Sequence, residues 1–374
     1  MTIAIIAGEP SGDRIAALAA RSLAARGHGL HGLGGPACRA AGVEIIADTV
    51  RLGAMGFGDA ALRLPAITFA AARLLARASR RPPAAALLVN FTELNQRAGR
   101  LLRALGVRVL WCVAPQVWAW RPGRLMSLRG AMDRLAVILP FEEALWRGAG
   151  VNAHYVGHPS LDIPSPPRAD LRARLAIPPG ARAIAVLPGS RAGEARRLAG
   201  ALAGAAATLI AEGCVARMIL AVGLDPAAAA IAEASAHRHG FGVVHGDLLH
   251  GAAPLLGAFD VALSASGTAS LEAAIAGAAP VVAYRLDRLS FMVAKRLVRT
   301  PHIALPNVLL GRRAFPELLQ DEATPEAIAR AARGLLERPE AARALAEELR
   351  LVLRPPSQEP FGERVAALFD PWLG

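Results

Sequence analysis

Lysine is nearly missing from this chain, aromatic residues are scarce, and no apolar run is long enough to cross a bilayer. Each shortage removes a class of reading. Lys295 is the only lysine, so the net charge of +12 is carried by arginine. A basic balance suits nucleic acid, an anionic membrane surface or acidic substrates. Aromatics make up 5% of the chain and no nucleic-acid motif is present, so base stacking has little to work with and no nucleic-acid partner is expected. The three cysteines, Cys38, Cys112 and Cys214, are odd in number and far apart. They suggest neither a disulfide framework nor a metal cluster, which fits a reducing cytoplasm. The mean hydropathy of +0.36 is high for a soluble protein, yet no window reaches the roughly 18 uninterrupted apolar residues of a spanning helix. The expectation is a protein that is soluble or lies on a membrane without crossing it.

What the chain does contain is strand, turn and helix in alternation. The N-terminal stretch MTIAIIAGEPSGD has no basic region before its apolar run and reads as a first β-strand (Thr2 to Ala7), not a signal peptide. The loop Gly8 to Asp13 follows, and a helix is expected from Arg14. The loop lacks the GxGxxG spacing, so a dinucleotide fingerprint is absent. Further strands are read at His31 to Gly35, where a flexible turn follows, and at Ala84 to Asn90, Val107 to Val113, Ala136 to Leu139 and Ala153 to Val156. Asp162 to Arg168, with three prolines in a polar run, is the clearest linker. Beyond it strands recur near Ile184, Met218, Gly242, Val261 and Val281. Alternation at this spacing predicts an α/β protein of two doubly wound parallel sheets, one per half, facing a central cleft.

Two turns in the second half favour an anion. Leu263 to Tyr284 joins a buried strand, the polar turn Ser264 to Thr268 and a helix start at Ala269. Such a turn aims free backbone N–H groups and the positive end of a helix dipole at one point, which suits a phosphate. Taken alone, it is equally well an ordinary capped helix. The second turn, Pro188-Gly189-Ser190-Arg191, follows an apolar strand; its glycine allows close backbone approach and Arg191 supplies an always-charged fork. Together they make a nucleoside diphosphate the natural ligand. Glu272, one helical turn inside, is placed to reach a sugar hydroxyl.

Residues Val50 to Arg81 interleave Met55, Phe57, Ile67 and Phe69 with arginines that crowd toward the end, among them Arg73 and Arg77. The pattern suits a helix lying in a membrane interface with its arginines near anionic head groups. An amphipathic helix packed on the domain core is the commoner explanation of such a pattern. His31, Glu142 and His158 are read in loops at the edge of the cleft.

These motifs, in order, resemble the lipid-A-disaccharide synthase family, inverting glycosyltransferases with two Rossmann-like domains of the GT-B type. The pieces are GEPSGD (Gly8 to Asp13), PQVWAW (Pro115 to Trp120), PFE (Pro140 to Glu142), VGHP (Val156 to Pro159), LPGSR (Leu187 to Arg191), SGTASLE (Ser266 to Glu272), LPN (Leu305 to Asn307) and PELLQ (Pro316 to Gln320). The resemblance covers nearly the whole length. It implies transfer of 2,3-diacylglucosamine from UDP to 2,3-diacylglucosamine 1-phosphate by a metal- and cofactor-free enzyme, peripheral on the cytoplasmic face of the inner membrane. It also tips Val50 to Arg81 toward membrane contact.

On this pattern residues 1–161 form the acceptor and membrane-side domain, completed by helices in 345–374, and residues 162–344 bind the UDP-sugar. The C-terminal helices can be exchanged between two subunits of a homodimer in this family. Ser11, Gly12, Arg191, Ser266, Gly267, Thr268, Ala269, Glu272, Asn307 and Gln320 are the expected donor-binding residues. The family pattern before PQVWAW resembles Asp-x-Pro-Asp-Phe-Asn, whose first Asp is the usual candidate base. Here the stretch runs from Asn90 to Asn95, with Asn90 at the first Asp and Glu93 at the second. An amide cannot accept the proton as a carboxylate does. Glu93 has taken the role, or the base lies elsewhere, or the chain uses another acceptor or is a non-catalytic relative.

Overall fold

The computed structural model describes residues 1–49, 57–120, 122–222, 224–287, 291–292 and 300–373, with the backbone alone described at 57–67, 120 and 122. Contacts divide the chain into two compact units, residues 1–162 with 353–374, and residues 163–352.

The first unit carries seven parallel strands in the order β3-β2-β1-β4-β5-β6-β7: β1 Thr2–Ala7, β2 Gly29–Gly34, β3 Glu44–Asp48, β4 Ala85–Val89, β5 Arg108–Cys112, β6 Arg134–Val137 and β7 Ala153–Tyr155. The second carries six parallel strands in the order β10-β9-β8-β11-β12-β13: β8 Ala183–Leu187, β9 Val215–Leu220, β10 Gly242–His245, β11 Val261–Ala265, β12 Ala279–Tyr284 and β13 Glu317–Leu319. The central strands β4, β8 and β11 are buried along their whole length. Helices cover both faces of a parallel sheet, so its central strands are apolar runs with no alternation, broken in these three only by Ser264 of β11.

Chain order reverses beside β1, flanked by β2 and β4, and beside β8, flanked by β9 and β11. In open parallel sheets ligands bind outside the carboxyl ends of the strands at such switch points. The GEPSGD and LPGSR turns leave the carboxyl ends of β1 and β8.

Two strands escape the sequence reading. Glu44–Asp48 is a half-exposed edge strand, and Glu317–Leu319 has three residues behind a proline. The first helix begins at Pro10, not Arg14. Proline's missing N–H costs nothing in a helix's first turn, and its fixed φ suits the helix.

The C-terminal segment is tied into the first unit. Tyr155 Oη donates to the Leu353 carbonyl at 2.7 Å, and buried Arg364 donates to the Val156 carbonyl at 2.6 Å and to Asp162 at 2.9 Å.

Candidate functional site

In the first unit the early helix start puts Ser11 and Gly12 in the first turn, where backbone N–H groups have no partner within the helix and the dipole is positive. Asp13, one residue on, is turned inward and buried. Its carboxylate accepts the N–H groups of Gly35 (2.7 Å), Ala37 (2.9 Å) and Cys38 (3.2 Å). Asp13 thus caps the Pro36–Ala40 helix and fixes the turn after β2.

Asn90 and Phe91, directly after β4, are in the left-handed region (φ 53° and 48°), as is Val113 after the neighbouring β5 (φ 67°). Non-glycine residues there cost on the order of 1–3 kcal/mol each and persist only where the surroundings hold them. Asn95 does the holding, its amide donating to the carbonyls of Asn90 (2.6 Å) and Val89 (3.3 Å). The Phe91 ring lies against Gly8 so closely that a β-carbon on Gly8 would sit 2.1 Å from it. A β-carbon on Gly12 would stand 3.5 Å from Asn90 Cβ. The two turns that leave β1 and β4 therefore abut, with Asn90 beside Gly12.

Glu93 lies in the first turn of the Thr92–Ala104 helix. Its exposed carboxylate accepts from Arg124 Nη1 at 2.6 Å, and Arg124 Nη2 donates to Gln96 at 3.1 Å. Of the two sequence candidates, Asn90 faces the glycine turn and Glu93 is held by a guanidinium.

Further along the same edge, Glu142 sits in the first turn of the Pro140–Gly148 helix, not in a loop, and is 1% exposed. Its Oε1 accepts the Trp118 indole N–H at 3.0 Å, while Oε2 is buried with no partner among the described residues. Burial pushes its carboxyl up to about 8. Phe141 meets the same indole edge-on, ring centres 5.1 Å apart. His158 is buried before a short 3-10 turn, its Nδ1 accepting the Ser160 N–H at 3.2 Å. Burial lowers it to about 4. His31 lies within β2, buried, and is not in a loop either.

The Phe57–Arg80 helix buries Ala70, Ala71, Leu74 and Ala78 against the first unit's core. That spacing is one face of a helix. Phe69 (67% exposed) and Arg73 lie on the outer side. Arg77 makes a two-pronged pair with Glu44 of β3, at 2.8 and 2.9 Å. Met55 and the side chains of Phe57 and Ile67 lie outside the described residues.

In the second unit Gly189 (φ 102°) is forced to be glycine: a β-carbon would meet the Glu194 carboxylate at 2.7 Å. It would also stand 3.4 Å from Ala265 Cβ, the last residue of β11. The LPGSR turn and the SGTASLE turn are thus neighbours at one switch point. Glu194 Oε2 accepts the Ser190 N–H at 3.3 Å and Oε1 lies 3.5 Å from Arg191 Nη1. Buried Asp225 accepts the Ala192 N–H at 3.3 Å, capping the Ala192–Ala211 helix from outside it.

Gly267 is exposed with open space over its α-carbon, at the head of the Thr268–Ile275 helix. Thr268, Ala269 and Glu272 are half-buried around it. Ser266 Oγ donates to the Ile303 carbonyl at 3.3 Å.

Asn307 and Gln320 occupy different positions from those expected of ligand-facing amides. Asn307 is buried, and its amide donates to the Phe315 carbonyl (2.9 Å) and Glu317 (2.7 Å) while accepting from the N–H groups of Ala314 (3.0 Å) and Phe315 (2.9 Å). All four positions of its amide are used. Gln320 clamps Leu286, accepting its N–H at 2.6 Å and donating to its carbonyl at 3.1 Å. Both shape loops beside the donor turns. Glu317, which the sequence reading passed over, accepts from Ile303 (3.1 Å), Ala304 (3.2 Å) and Asn307. Its role has no local sequence signal; Asp225 had one, an Asp-Pro pair opening a helix.

Among the described residues no three His, Cys, Asp or Glu side chains gather as metal ligands, and no helix is long and apolar enough to cross a membrane.

Comparison with known proteins matches this arrangement. The family model described as lipid-A-disaccharide synthetase matches residues 3–354. The lipid-A-disaccharide synthase of Myxococcus xanthus is 41% identical over 334 residues, covering 87% of this chain and 86% of that protein. That of Bordetella pertussis is 37% identical over 351 residues, covering 88% of each. Among solved structures, the calicheamicin glycosyltransferase CalG4 superposes with a TM-score of 0.60 at 16% identity over 100% of this chain and 98% of that one. MurG of Acinetobacter baumannii superposes with a TM-score of 0.57 at 16% identity over 99% of each. These structures establish the two-domain α/β fold of GT-B glycosyltransferases.

Proposed function

The chain belongs to the lipid-A-disaccharide synthetase family, and from that premise we propose how its residues carry out the transfer. The enzyme is a glycosyltransferase of lipid A biosynthesis that uses a UDP-sugar donor and a lipid acceptor. It moves 2,3-diacylglucosamine from UDP to the 6-hydroxyl of 2,3-diacylglucosamine 1-phosphate. The bond from the anomeric carbon to the diphosphate oxygen breaks, the bond to the acceptor oxygen forms on the opposite face, and the β(1→6) disaccharide 1-phosphate and UDP result.

The observation that carries the residue assignment is the adjacency of the Gly189 and Ser266 turns at one switch point. The departing diphosphate meets as donors Arg191 and the backbone N–H groups opening the helix at Thr268 and Ala269. Glu272 holds the ribose. Asn307 and Gln320 support the site through the loops they fix. The first unit takes the acceptor, with the hydroxyl proton passing to Glu93 and with Asn90, Ser11 and Gly12 lining the abutting turns. A carboxylate poised this way contributes on the order of 10²–10⁴-fold. The outer side of the Phe57–Arg80 helix, with Phe69 and Arg73, rests on the anionic surface of the inner membrane's cytoplasmic face, where both acylated substrates reside. Exchange of the segment 353–374 between two subunits is the assembly the family allows, and sedimentation of the full chain tests it.

The test is product formation from UDP-2,3-diacylglucosamine and 2,3-diacylglucosamine 1-phosphate by the wild type, Glu93→Gln and Asn90→Asp. Disaccharide from the wild type, lost in Glu93→Gln while UDP still binds, supports Glu93 as the base. An inactive wild type that Asn90→Asp activates would point to another acceptor.

A further inference from the structure

Glu142 is a buried carboxyl that the transfer chemistry above does not use. A carboxyl closed off from water is costly unless its oxygens are partnered or it stays neutral. Only one oxygen has a partner, the Trp118 indole N–H at 3.0 Å, and the other is enclosed. The indole is half-buried and its neighbour Phe141 is 39% exposed. The two rings stand edge to face at the carboxyl side of β5 and β6, strands that pair with each other, and β5 also pairs with β4, which leads into Asn90.

We infer that Glu142 is a positioning residue for the transfer: by accepting the Trp118 indole N–H inside the core, it fixes that ring, with Phe141, as an apolar wall for the acceptor's sugar. The inference rests on the acceptor assignment given above. An indole face suits the C–H face of a pyranose, and the hydrogen bond its ring N–H donates to the carboxyl behind it is what keeps that face from turning.

The carboxyl does this as the neutral acid. Burial raises it to about 8, opposed by the Trp118 N–H and the Leu139 backbone. The charged and titratable groups on the elements around it are paired with one another or held neutral. Glu143 and Arg147 on its own helix pair at 2.9 Å, and Glu143 accepts the Tyr155 N–H at 3.2 Å. His154 on β7 is held down by burial and then by Arg147 and Arg134, and buried His158 is neutral above about 4. Once Glu142 ionises, a buried charge has one side-chain donor and the Leu139 backbone, and water must enter the turn to solvate it. The wall then loosens.

Two measurements on the full chain test this. The first needs no substrate: tryptophan emission between pH 6.5 and 9.5, wild type minus Trp118→Phe, isolates one indole of the five in the chain. The difference signal is expected to titrate with a midpoint near 8 and to stay flat when the same subtraction is made in Glu142→Gln. The second is the acceptor KM over that range, expected to rise about tenfold in the wild type, the equivalent of one lost hydrogen bond. It stays constant in Glu142→Gln, and the donor KM stays constant in both. A Trp118 signal that does not titrate in the wild type overturns the inference, as does a titration that persists in Glu142→Gln or an acceptor KM that moves only in step with the donor KM. If no disaccharide forms at any pH, the functional reading fails on its own, and the substrate-free titration still decides the role of Glu142.

Discussion

Asn307 donates to Glu317 at 2.7 Å deep in the second unit, and between them the two side chains hold five backbone groups: the N–H groups of Ile303, Ala304, Ala314 and Phe315 and the Phe315 carbonyl. Ile303 in turn receives the Ser266 hydroxyl. Asn307→Ala leaves several of these buried groups unpaired and is expected to lower stability by about 2–4 kcal/mol, read in urea denaturation, with UDP affinity falling as a consequence. Arg191→Gln, at a side chain 47% exposed, is expected to weaken UDP binding while leaving the denaturation midpoint in place. Equal losses of stability in the two variants would show that Arg191 is no diphosphate ligand.

The Glu93–Arg124 pair separates chemistry from folding. Its carboxylate is 72% exposed, and exposed pairs contribute at most about 1 kcal/mol. Arg124→Ala is therefore expected to leave the melting temperature within a degree or two while changing kcat, because the carboxylate loses the guanidinium that orients it. Unchanged turnover together with a large thermal shift would make the pair structural only.

His158 predicts part of the acid limb of stability. Burial lowers it from the ordinary 6.5 to about 4, so the folded state binds fewer protons than the unfolded chain between those values. Its contribution is fully present above pH 6.5 and is lost as pH falls toward 4, roughly 3 kcal/mol for a shift of that size. Asparagine can accept the Ser160 N–H as His158 does. His158→Asn should flatten the slope of denaturation free energy between pH 6.5 and 4. A slope identical to the wild type would remove His158 from the account.

The Phe57–Arg80 helix gives opposite expectations on its two sides. Leu74 is fully buried, and Leu74→Ala should cost about 2–5 kcal/mol. Phe69→Ser should change stability by under about 0.5 kcal/mol yet lower binding to anionic vesicles in a flotation assay. Vesicle binding that Phe69→Ser leaves untouched would argue against this side as the membrane contact.

Much of the fold could be read from local pattern, because central strands such as Ala85–Val89 and Ala183–Leu187 are apolar without interruption and end at turn residues. What escaped is non-local. Asp13 reads as part of a ligand loop, but its partners lie 22 to 25 residues on. Asn307 and Gln320 belong to ligand-like motifs, yet their amides are spent on Phe315 and Leu286. Glu142 reads as a loop acid at the edge of the cleft; Trp118, 24 residues earlier, is what meets it inside. Periodicity reports which face of an element is apolar, and it carries no information about which distant backbone a polar side chain will meet.

The contact of Phe91 with Gly8 leaves room for a hydrogen at position 8 and for nothing larger. The coupling between the two positions therefore runs one way: a side chain at 8 becomes tolerable only when the ring at 91 has already given way to something small. A side chain at 8 with the ring at 91 kept forces the two first-unit turns to shift. A graft that brings a side chain to position 8 is expected to seat only with a smaller residue at 91.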